Sequence, residues 1–395
     1  MKKLALGFSF VMVASLVLTA CVRKPYACTD PMGCITVGNA ASIKVGSLLT
    51  MSGPDSVYGI DAVRGVEIAI ADKKQVFGHS VELVKVDDLC TEEGGQQGAT
   101  QLAAQADLAG VIGTTCSSAS VPAATILTNA HMPLISPSST APSLTDPVTH
   151  QVDFLRTIYN DKAQGQAVAQ FAFSVLGTRR MVTVHDGSAY PKQLQQAACD
   201  DFTQLGGECI EQIDLSAGQN LLTSLQNAAS QNPDVIYFPL YTDDGVTFMK
   251  DILGAGFSDP ALISSDGLLS PDFLEKAGAQ TEGIYLSGPA NVEESTDFTQ
   301  KYKAGYGEDP VASYHLQAYD AAMMLFSAIE KVAVPASSAD NSISIPRKAL
   351  LDALYATHGM QGLSGPLNCS PTGDCAQPNI DIFQVVDKTF KVIYP

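Results

Sequence analysis

Charge is scarce in this sequence, and basic charge is scarcest. Only 16% of the 395 residues are charged and 46% are hydrophobic, which excludes a disordered chain and suffices for two domains with apolar cores. Lys and Arg number 23 against 41 Asp and Glu. Neither nucleic acid nor an anionic lipid surface is therefore expected as a partner, unless a local basic patch exists. The absence of Trp excludes nothing.

Long apolar runs are also lacking, with one exception near the N-terminus. Residues 4–18 follow two lysines and form an apolar segment that is too short to span a bilayer and typical of a secretory signal. The segment ends in Leu18-Thr19-Ala20-Cys21, which resembles the lipobox of bacterial lipoproteins. We therefore expect residues 1–20 to be a lipoprotein signal peptide and Cys21 to carry a lipid anchor. An ordinary signal that leaves Cys21 a plain thiol is the alternative.

Catalytic motifs are missing as well. The sequence contains no G-x-S-x-G, H-E-x-x-H, P-loop or G-x-G-x-x-G pattern, and its six His residues are scattered. His185-Asp186, at the end of a predicted strand, is the one pair that suggests a catalytic dyad, and a structural His is the preferred explanation. We expect no enzyme, no cofactor and no metal site.

The Cys content indicates export. Nine Cys residues are present, and eight remain once Cys21 is set aside. They form pairs that are close in sequence, and proximity predicts the disulfides Cys28–Cys34, Cys90–Cys116, Cys199–Cys209 and Cys369–Cys375. Disulfides suit an oxidising compartment. A zinc site is the competing explanation, but no C-x-x-C occurs and no His is spaced to complete a cluster.

Strand and helix patterns alternate from residue 43 onward. The predicted strands are 43–49, 81–86, 110–113, 133–136, 180–185, 209–213, 234–238, 261–264 and 283–287. The predicted helices between them are 58–75, 95–108, 118–130, 161–176, 190–205, 220–231, 243–255 and 271–277. Such alternation requires parallel sheets with helices on both faces, and the strands are too many for one compact sheet. The sequence therefore predicts an α/β fold of two doubly wound lobes.

The two ends of the chain depart from this alternation. Residues 21–41, rich in Pro and Gly, are interpreted as the lipidated Cys and a tether without regular structure. Helices near 295–306, 312–332 and 346–357 have no sheet of their own and are expected to cover the first lobe. Residues 380–394 are predicted to form a final strand pair.

A series of short motifs follows the alternating strands and helices. The motifs are Met51-Ser52-Gly53-Pro54, Tyr58-Gly59, Arg64-Gly65 with Glu67, Asp87-Asp88-x-Cys90, Cys116-Ser117-Ser118, the run 137–145, and Val184-His185-Asp186 with Tyr190. Together they resemble the branched-chain amino-acid-binding proteins of ABC importers. The resemblance extends over residues 43–390 and rests on the order and spacing of the motifs, because no single one is decisive.

The resemblance implies a type I periplasmic binding fold, in which two Rossmann-like lobes joined by three crossover strands close on a ligand like a hinge. Lobe 1 would comprise residues 42–158 and 288–365, and lobe 2 residues 159–287 and 366–395. It also implies an extracytoplasmic monomer that is attached to the membrane through its lipid and delivers an α-amino acid to importer permease subunits.

Ser117 is the expected carboxylate-binding residue. It begins a helix directly after a predicted strand, where free N–H groups and the positive helix end favour an anion. From the residues alone, simple N-capping by a Ser explains the position equally well. The resemblance favours contact with the ligand carboxylate.

The resemblance also implies an ammonium site. The Ser138 carbonyl and the Thr140 hydroxyl would accept from the ligand ammonium, and the Thr140 N–H would help to hold the carboxylate. Asp266 stands where the family has a Glu that pairs with the ammonium, so its arm is one methylene shorter. An ordinary Ser/Thr-rich turn and a solvated strand-end Asp are the alternatives.

Four Tyr residues are expected to frame the ligand side chain: Tyr58, Tyr190, Tyr241 and Tyr314, the last where the family often has Phe. Aromatic walls suit Leu, Ile, Val or Phe as ligands. One rival is the same fold with an amide, urea or aromatic acid as ligand, although Asp266 argues against amides and urea. A lipoprotein sensor or assembly partner and an enzyme on this scaffold are the other rivals.

Overall fold

The computed structural model describes residues 26–218, 220–290 and 296–395, so the signal segment and Cys21 lie outside the described residues. The described chain begins with a first lobe. Its strands and helices are β1 (Cys34–Val37), β2 (Ile43–Leu48), α1 (Ser56–Lys73), β3 (Val81–Val86), α2 (Glu92–Ala103), β4 (Leu108–Gly113), α3 (Ser117–Asn129), β5 (Leu134–Ser136) and β6 (Phe154–Arg156).

The sheet of lobe 1 is parallel throughout, with the strand order β3-β2-β4-β5-β6. Consecutive residues of β4 enter different apolar clusters, Val111 on one face of the sheet and Ile112 on the other. A strand buried on both faces must be apolar along its whole length, which is why β4 lacks alternation. Helices therefore cover both faces.

Lobe 2 repeats the same design. It contains α4 (Asp161–Gln170), β7 (Arg180–His185), α5 (Ala189–Gln204), β8 (Glu208–Asp214), α6 (Leu221–Ala229), β9 (Val235–Tyr237), α7 (Thr242–Asp251), β10 (Ala261–Ser265), α8 (Pro271–Ala277) and β11 (Tyr285–Pro289). Its parallel strands have the order β8-β7-β9-β10-β11. Met181 and Val182 of β7 again enter clusters on opposite faces.

The rest of the chain returns to both lobes. It forms α9 (Thr296–Tyr306), α10 (His315–Val332), β12 (Val334–Pro335), β13 (Ile343–Pro346), α11 (Arg347–Tyr355), β14 (Met360–Gln361), β15 (Pro366–Leu367), β16 (Ile380–Val386) and β17 (Thr389–Tyr394). Helix α10 packs on α1 of lobe 1, whereas β16 and β17 extend the sheet of lobe 2 antiparallel to β11. The chain thus crosses between the lobes after β6, after β11 and after β15. The predicted fold of two doubly wound lobes is confirmed.

One stretch of the expected tether is structured. Strand β1 pairs antiparallel with β13, and its inward residues Ile35 and Val37 are only 2% and 4% exposed. The interpretation of residues 34–37 as irregular tether is therefore wrong. Two alternating apolar residues are too short a pattern to indicate a strand, and the partner strand lies near the other end of the chain.

Four disulfides join described residues: Cys28–Cys34, Cys90–Cys116, Cys199–Cys209 and Cys369–Cys375. Cys90–Cys116 ties the segment before α2 to the residue that precedes α3. Cys369–Cys375 closes a loop in the third crossing between the lobes. Within the described ranges, none of the helices is both long enough and apolar enough to cross a membrane.

Candidate functional site

A cavity lies between the carboxyl ends of the two sheets. In lobe 1 its walls follow β2, β4 and β5, and in lobe 2 they follow β7, β9 and β10, which is where open α/β sheets bind ligands. The lining residues are Tyr58, Thr115, Cys116, Ser117, Ser138, Tyr190, Tyr241, Asp266, Gly267 and Tyr314. Of the predicted ligand residues, Thr140 alone is outside this lining.

The lobe 1 wall offers hydrogen-bond donors at the start of α3. Cys116, which precedes the helix, makes no side-chain capping bond. The Ser117 hydroxyl accepts from the Ala141 N–H at 3.1 Å, so Ser117 does not cap its own helix. The Ser138 hydroxyl donates to the Thr115 carbonyl at 2.8 Å. The first-turn N–H groups and the helix dipole make this wall suitable for an anion.

A buried carboxylate behind this wall holds the loop in place. Asp88 accepts from the Thr115 N–H at 2.8 Å, the Cys90 N–H at 2.9 Å and the Thr50 hydroxyl. Burial raises the pKa of Asp88 to about 6, although its three hydrogen bonds favour the charged form. Asp88 therefore positions the loop between β4 and α3 without reaching the cavity.

The lobe 2 wall centres on Asp266, which is only 2% exposed. Its Oδ1 accepts from Gln164 Nε2 at 2.8 Å and from the Tyr190 hydroxyl at 2.6 Å. Its Oδ2 accepts from the Tyr314 hydroxyl at 2.7 Å. A carboxylate offers about four acceptor positions, so one position on Oδ2 remains for a ligand donor. Asp266 is thus a buried, oriented acceptor rather than a solvated strand end.

The four Tyr rings form two pairs on opposite walls. Tyr58 and Tyr314 meet edge to face with centroids 5.8 Å apart, and Tyr190 and Tyr241 are 5.3 Å apart. Burial raises the pKa of all four phenols well above 10, so they are neutral. The rings supply apolar walls, while their hydroxyls remain available as donors.

Tyr314 is held by a residue that the sequence did not suggest. Asp61, fully buried on α1, accepts from the backbone N–H groups of Tyr314 at 3.2 Å and His315 at 3.0 Å. Gly65 lets the two helices approach, because a Cβ there would lie 2.1 Å from the His315 carbonyl oxygen. Asp61 thereby caps α10 and places Tyr314 at the cavity.

Thr140 is outside the lining of the cavity and contacts Asp161, the first residue of α4. It is buried, its hydroxyl has no protein hydrogen-bond partner, and its carbonyl accepts from the Asp161 N–H at 3.0 Å. Sequence reasoning missed Asp161 and Gln164. They lie three residues apart at the start of the helix that follows β6, which puts both on one helix face, but nothing in the sequence indicates that this face meets Asp266.

Besides the bond from Tyr314 to Asp266, several further hydrogen bonds join the two lobes. The Tyr58 hydroxyl donates to the Gly267 carbonyl at 3.0 Å. Further bonds run from the Thr242 N–H to Asp55 at 3.3 Å, from the Ala189 N–H to Ser118 at 3.4 Å, and in both directions between Ser143 and Gln193 at 2.9 Å. The lobes are therefore in contact around the cavity, which is a closed arrangement.

His185 and Asp186 do not form a dyad. His185 Nδ1 accepts from the Gly187 N–H at 3.0 Å, and Asp186 accepts from the Ser188 N–H at 2.8 Å. Burial lowers the pKa of His185, which leaves the ring a neutral structural group. Within the described ranges, no group of three or more His, Cys, Asp or Glu residues could hold a metal ion.

Two lobes of identical winding, in contact with each other around a cavity at the ends of their sheets, are the arrangement of a two-lobed binding protein. The profile described as periplasmic binding protein matches residues 42–389. The chain belongs to this family, whose members are substrate-binding proteins of transporters, and it is not an enzyme.

Curated relatives and solved structures agree with this assignment. A "Leu/Ile/Val-binding protein" of Citrobacter freundii is 28% identical over 65% of this chain and 70% of its own length. A "Leu/Ile/Val-binding protein homolog 3" of Brucella melitensis is 23% identical over 87% of this chain and 91% of its own length. The leucine-binding protein LivK of Thermotoga maritima is 27% identical, with a TM-score of 0.78 over 89% of this chain and 97% of its own.

Solved structures also show the range of ligands on this fold. A solute-binding protein from R. palustris in complex with benzoate has a TM-score of 0.74 at 23% identity, covering 90% of this chain and 96% of its own. The fold alone therefore does not define the ligand.

Proposed function

We propose that the protein binds an α-amino acid with an apolar side chain and delivers it to the permease of an ABC importer. The observation that carries this proposal is the polarity of the cavity. Uncapped N–H groups of α3 stand on lobe 1 with Ser117, and the Asp266 carboxylate stands on lobe 2. A zwitterion satisfies both walls at once, its carboxylate at α3 and its ammonium at Asp266.

The lining disfavours a simple anion. No Lys or Arg occurs among the lining residues, whereas Asp266 contributes a negative charge. A benzoate-like ligand would place its only charge in this negative field and would leave Asp266 without a cation. The Tyr walls favour an apolar side chain such as that of Leu, Ile or Val.

Attachment to the membrane is the second part of the proposal. The lipobox-like Leu18-Thr19-Ala20-Cys21 supports an extracytoplasmic protein that is anchored through lipid on Cys21. The lobe boundaries proposed here are 42–158 with 288–365 and 159–287 with 366–395. Hinge closure of these lobes over the ligand would distinguish the loaded from the unloaded protein at the permease.

A thermal-shift panel of the twenty amino acids tests the ligand class. We expect Leu, Ile or Val to raise the melting temperature, since a ligand of the folded state stabilises it by mass action. Calorimetry with L-leucine should then show no detectable binding for Asp266→Ala and normal binding for Asp200→Ala, a matched surface Asp of lobe 2. Unchanged leucine affinity in Asp266→Ala would remove the assignment of Asp266.

Membrane fractionation tests the anchor. Cys21→Ser, expressed with its signal, should shift from the membrane fraction to the soluble extracytoplasmic fraction, while Cys369→Ser should not. If Cys21→Ser stays with the membrane, the lipid anchor at this residue is wrong.

A further inference from the structure

Buried polar atoms without a protein hydrogen-bond partner gather on one side of Asp266. Native proteins pair the large majority of such atoms, so a local cluster of exceptions needs a physical explanation. The members of this Asp161 cluster are Thr140 Oγ1, Tyr159 Oη, both carboxylate oxygens of Asp161, Gln164 Oε1 and Tyr237 Oη.

The geometry of α4 brings Asp161 close to Asp266. Asp161 is the first residue of the helix, and Gln164 donates to Asp266 Oδ1 at 2.8 Å. Residues at positions i and i+3 are neighbours on one helix face. Asp161 is fully buried, and its N–H is fixed on the Thr140 carbonyl. The two carboxyl groups therefore lie close enough for their charges to interact, although only Asp266 lines the cavity.

The two carboxyl groups differ in their hydrogen bonds. Asp266 has three side-chain donors, whereas neither oxygen of Asp161 has a donor in ordinary hydrogen-bond geometry, although the Thr140 hydroxyl acts on this carboxyl. An ionised carboxylate that is buried without a partner is strongly disfavoured, and a second negative charge nearby disfavours it further. Burial and then the Asp266 carboxylate raise the pKa of Asp161 well above its ordinary value, against the opposing effects of the Thr140 hydroxyl and Arg156.

Among the described residues, Arg156 is the cation that acts on Asp161, and its hydrogen bonds go to other groups. Arg156 on β6 donates to Asp374 at 2.5 Å and to the carbonyls of Ser139 and Ala141, each at 3.1 Å. The titratable and charged groups that act on Asp161, or on which it acts, are Asp266 after β10, Arg156 on β6, Tyr159 before α4, Tyr190 on α5, Tyr237 on β9 and Tyr241 before α7.

We propose that Asp161 holds a proton in the closed cleft until a ligand ammonium binds beside Asp266, and that it then releases this proton to the solvent. The O–H bond of the Asp161 carboxyl breaks, its electron pair stays on the carboxylate, and the proton passes to the buffer. The ligand ammonium supplies a positive charge beside the carboxyl groups of Asp161 and Asp266. This inference rests on the proposed amino-acid function and adds proton release to it.

Proton release makes affinity depend on pH. Where Asp161 is protonated before binding and ionised after it, affinity for an ammonium ligand rises up to about tenfold per pH unit. Asp161→Asn keeps the size of the side chain and removes the exchangeable proton. The variant should bind with an affinity that is flat over about pH 5 to 8.

Calorimetry with L-leucine in buffers of different ionisation enthalpy tests the proposal. The slope of the binding enthalpy against the buffer enthalpy counts the protons exchanged. We expect net release for the wild type and for Asp200→Asn, and none for Asp161→Asn. Asp161→Ser, which also lacks the carboxyl, serves if the Asn variant fails to fold by circular dichroism.

The outcomes are distinct. Equal slopes in the wild type and in the Asp161 variants, or a zero slope in the wild type, would overturn proton release while leaving the amino-acid function intact. Absence of any binding heat for L-leucine in the wild type would instead contradict the proposed function and this inference together.

Discussion

The two lobes have the same winding and opposite chemistry. Each parallel sheet has its first strand second from one edge, in the orders β3-β2-β4-β5-β6 and β8-β7-β9-β10-β11. The element after the first strand carries Tyr58 in one lobe and Tyr190 in the other. After the fourth strand, however, Ser138 in lobe 1 corresponds to Asp266 in lobe 2. Topology thus fixes where the site residues lie, and residue type decides which ligand group each lobe can hold.

The division of polarity makes both lobes necessary. Lobe 1 presents helix N–H groups and hydroxyls, and lobe 2 presents a carboxylate that is oriented by Gln164 and Tyr190. Tyr314 crosses from lobe 1 to donate to Asp266. A ligand with one charge therefore satisfies one lobe, whereas a zwitterion satisfies both.

The largest expected effect comes from removing the lobe 2 charge. We expect Asp266→Ala to weaken the binding of L-leucine by at least about 1,000-fold, because the ammonium loses its partner and three donors lose their acceptor. Ser117→Ala, on lobe 1, should cost about tenfold, because the helix N–H groups remain. Calorimetry measures both. Equal losses in the two variants would contradict the unequal roles of the lobes.

A structural difference between the lobes gives the second prediction. Gly59 follows Tyr58 in α1, and a Cβ there would lie 2.0 Å from the Thr50 carbonyl oxygen. Pro191 follows Tyr190 at the corresponding place in lobe 2. We expect Gly59→Ala to lower the free energy of unfolding by about 2 to 3 kcal/mol, since backbone must move.

Gly305→Ala in α9 is the matched control for Gly59→Ala, because a Cβ there meets nothing within 4 Å. It should be neutral or slightly stabilising in denaturant unfolding, since Ala is the better helix former. A stable Gly59→Ala variant would show that the approach between α1 and the segment after β2 is looser than described.

The third prediction concerns pH and lobe 1. The pKa of Asp88 is raised from 3.8 to about 6 in the folded protein, so the folded state binds this proton more tightly than the unfolded chain. The resulting stabilisation is present at low pH and is lost as pH rises through about 6. The Asp88 carboxyl should therefore contribute about 1 kcal/mol more to the free energy of unfolding at pH 5 than at pH 7.

Chemical denaturation at the two pH values isolates this contribution. The gain between pH 7 and pH 5 should shrink by about 1 kcal/mol in Asp88→Asn and stay unchanged in Asp200→Asn. If the free energy of unfolding increases equally in the wild type and in Asp88→Asn, groups other than Asp88 cause the pH dependence.

The smallest expected effect comes from removing a hydrogen bond between the lobes, and it is compared with the removal of a hydrogen bond inside lobe 2. Tyr314→Phe removes one donor that reaches Asp266 from the opposite lobe, and we expect affinity for L-leucine to fall about five-fold. Tyr190→Phe removes a hydroxyl that bonds to both Ser265 and Asp266 inside lobe 2, so its loss should be larger. The reverse order would indicate that Tyr314 contributes more to closure than Tyr190 contributes to the orientation of Asp266.

Local patterns predicted the parts of the fold that depend on local sequence. Most strands and helices of both lobes were visible because each βα unit has its own apolar period, as in β7 with α5. Strand β6 was not predicted, because three residues are too few to show a period. Strand β1 was missed because its only evidence is a pairing with β13, far away in the sequence. A strand of four residues is too short for its hydrophobic alternation to be recognised in the sequence.

The site residues, like the fold, were predictable where a local sequence pattern indicates their place. Seven residues that line the cavity follow strand ends or occupy the family motifs, and were expected from the sequence. Thr140 was expected to contact the ligand and is outside the lining of the cavity, so its role stays a prediction. Asp161 and Gln164 were missed because α4 follows a strand of lobe 1 but packs into lobe 2. The expectation that site residues lie at the strand ends of their own sheet therefore did not include α4.

Strand β1 has a mechanical consequence. It is hydrogen-bonded to β13, and the Cys28–Cys34 disulfide closes directly before it, so the N-terminal segment is fastened to lobe 1 alone. Any load applied through that segment is carried by lobe 1. In the proposed hinge closure, lobe 2 is then the lobe that moves relative to this attachment. In a pulling experiment from the N-terminus, ligand should therefore change the extension only when the second attachment point is on lobe 2.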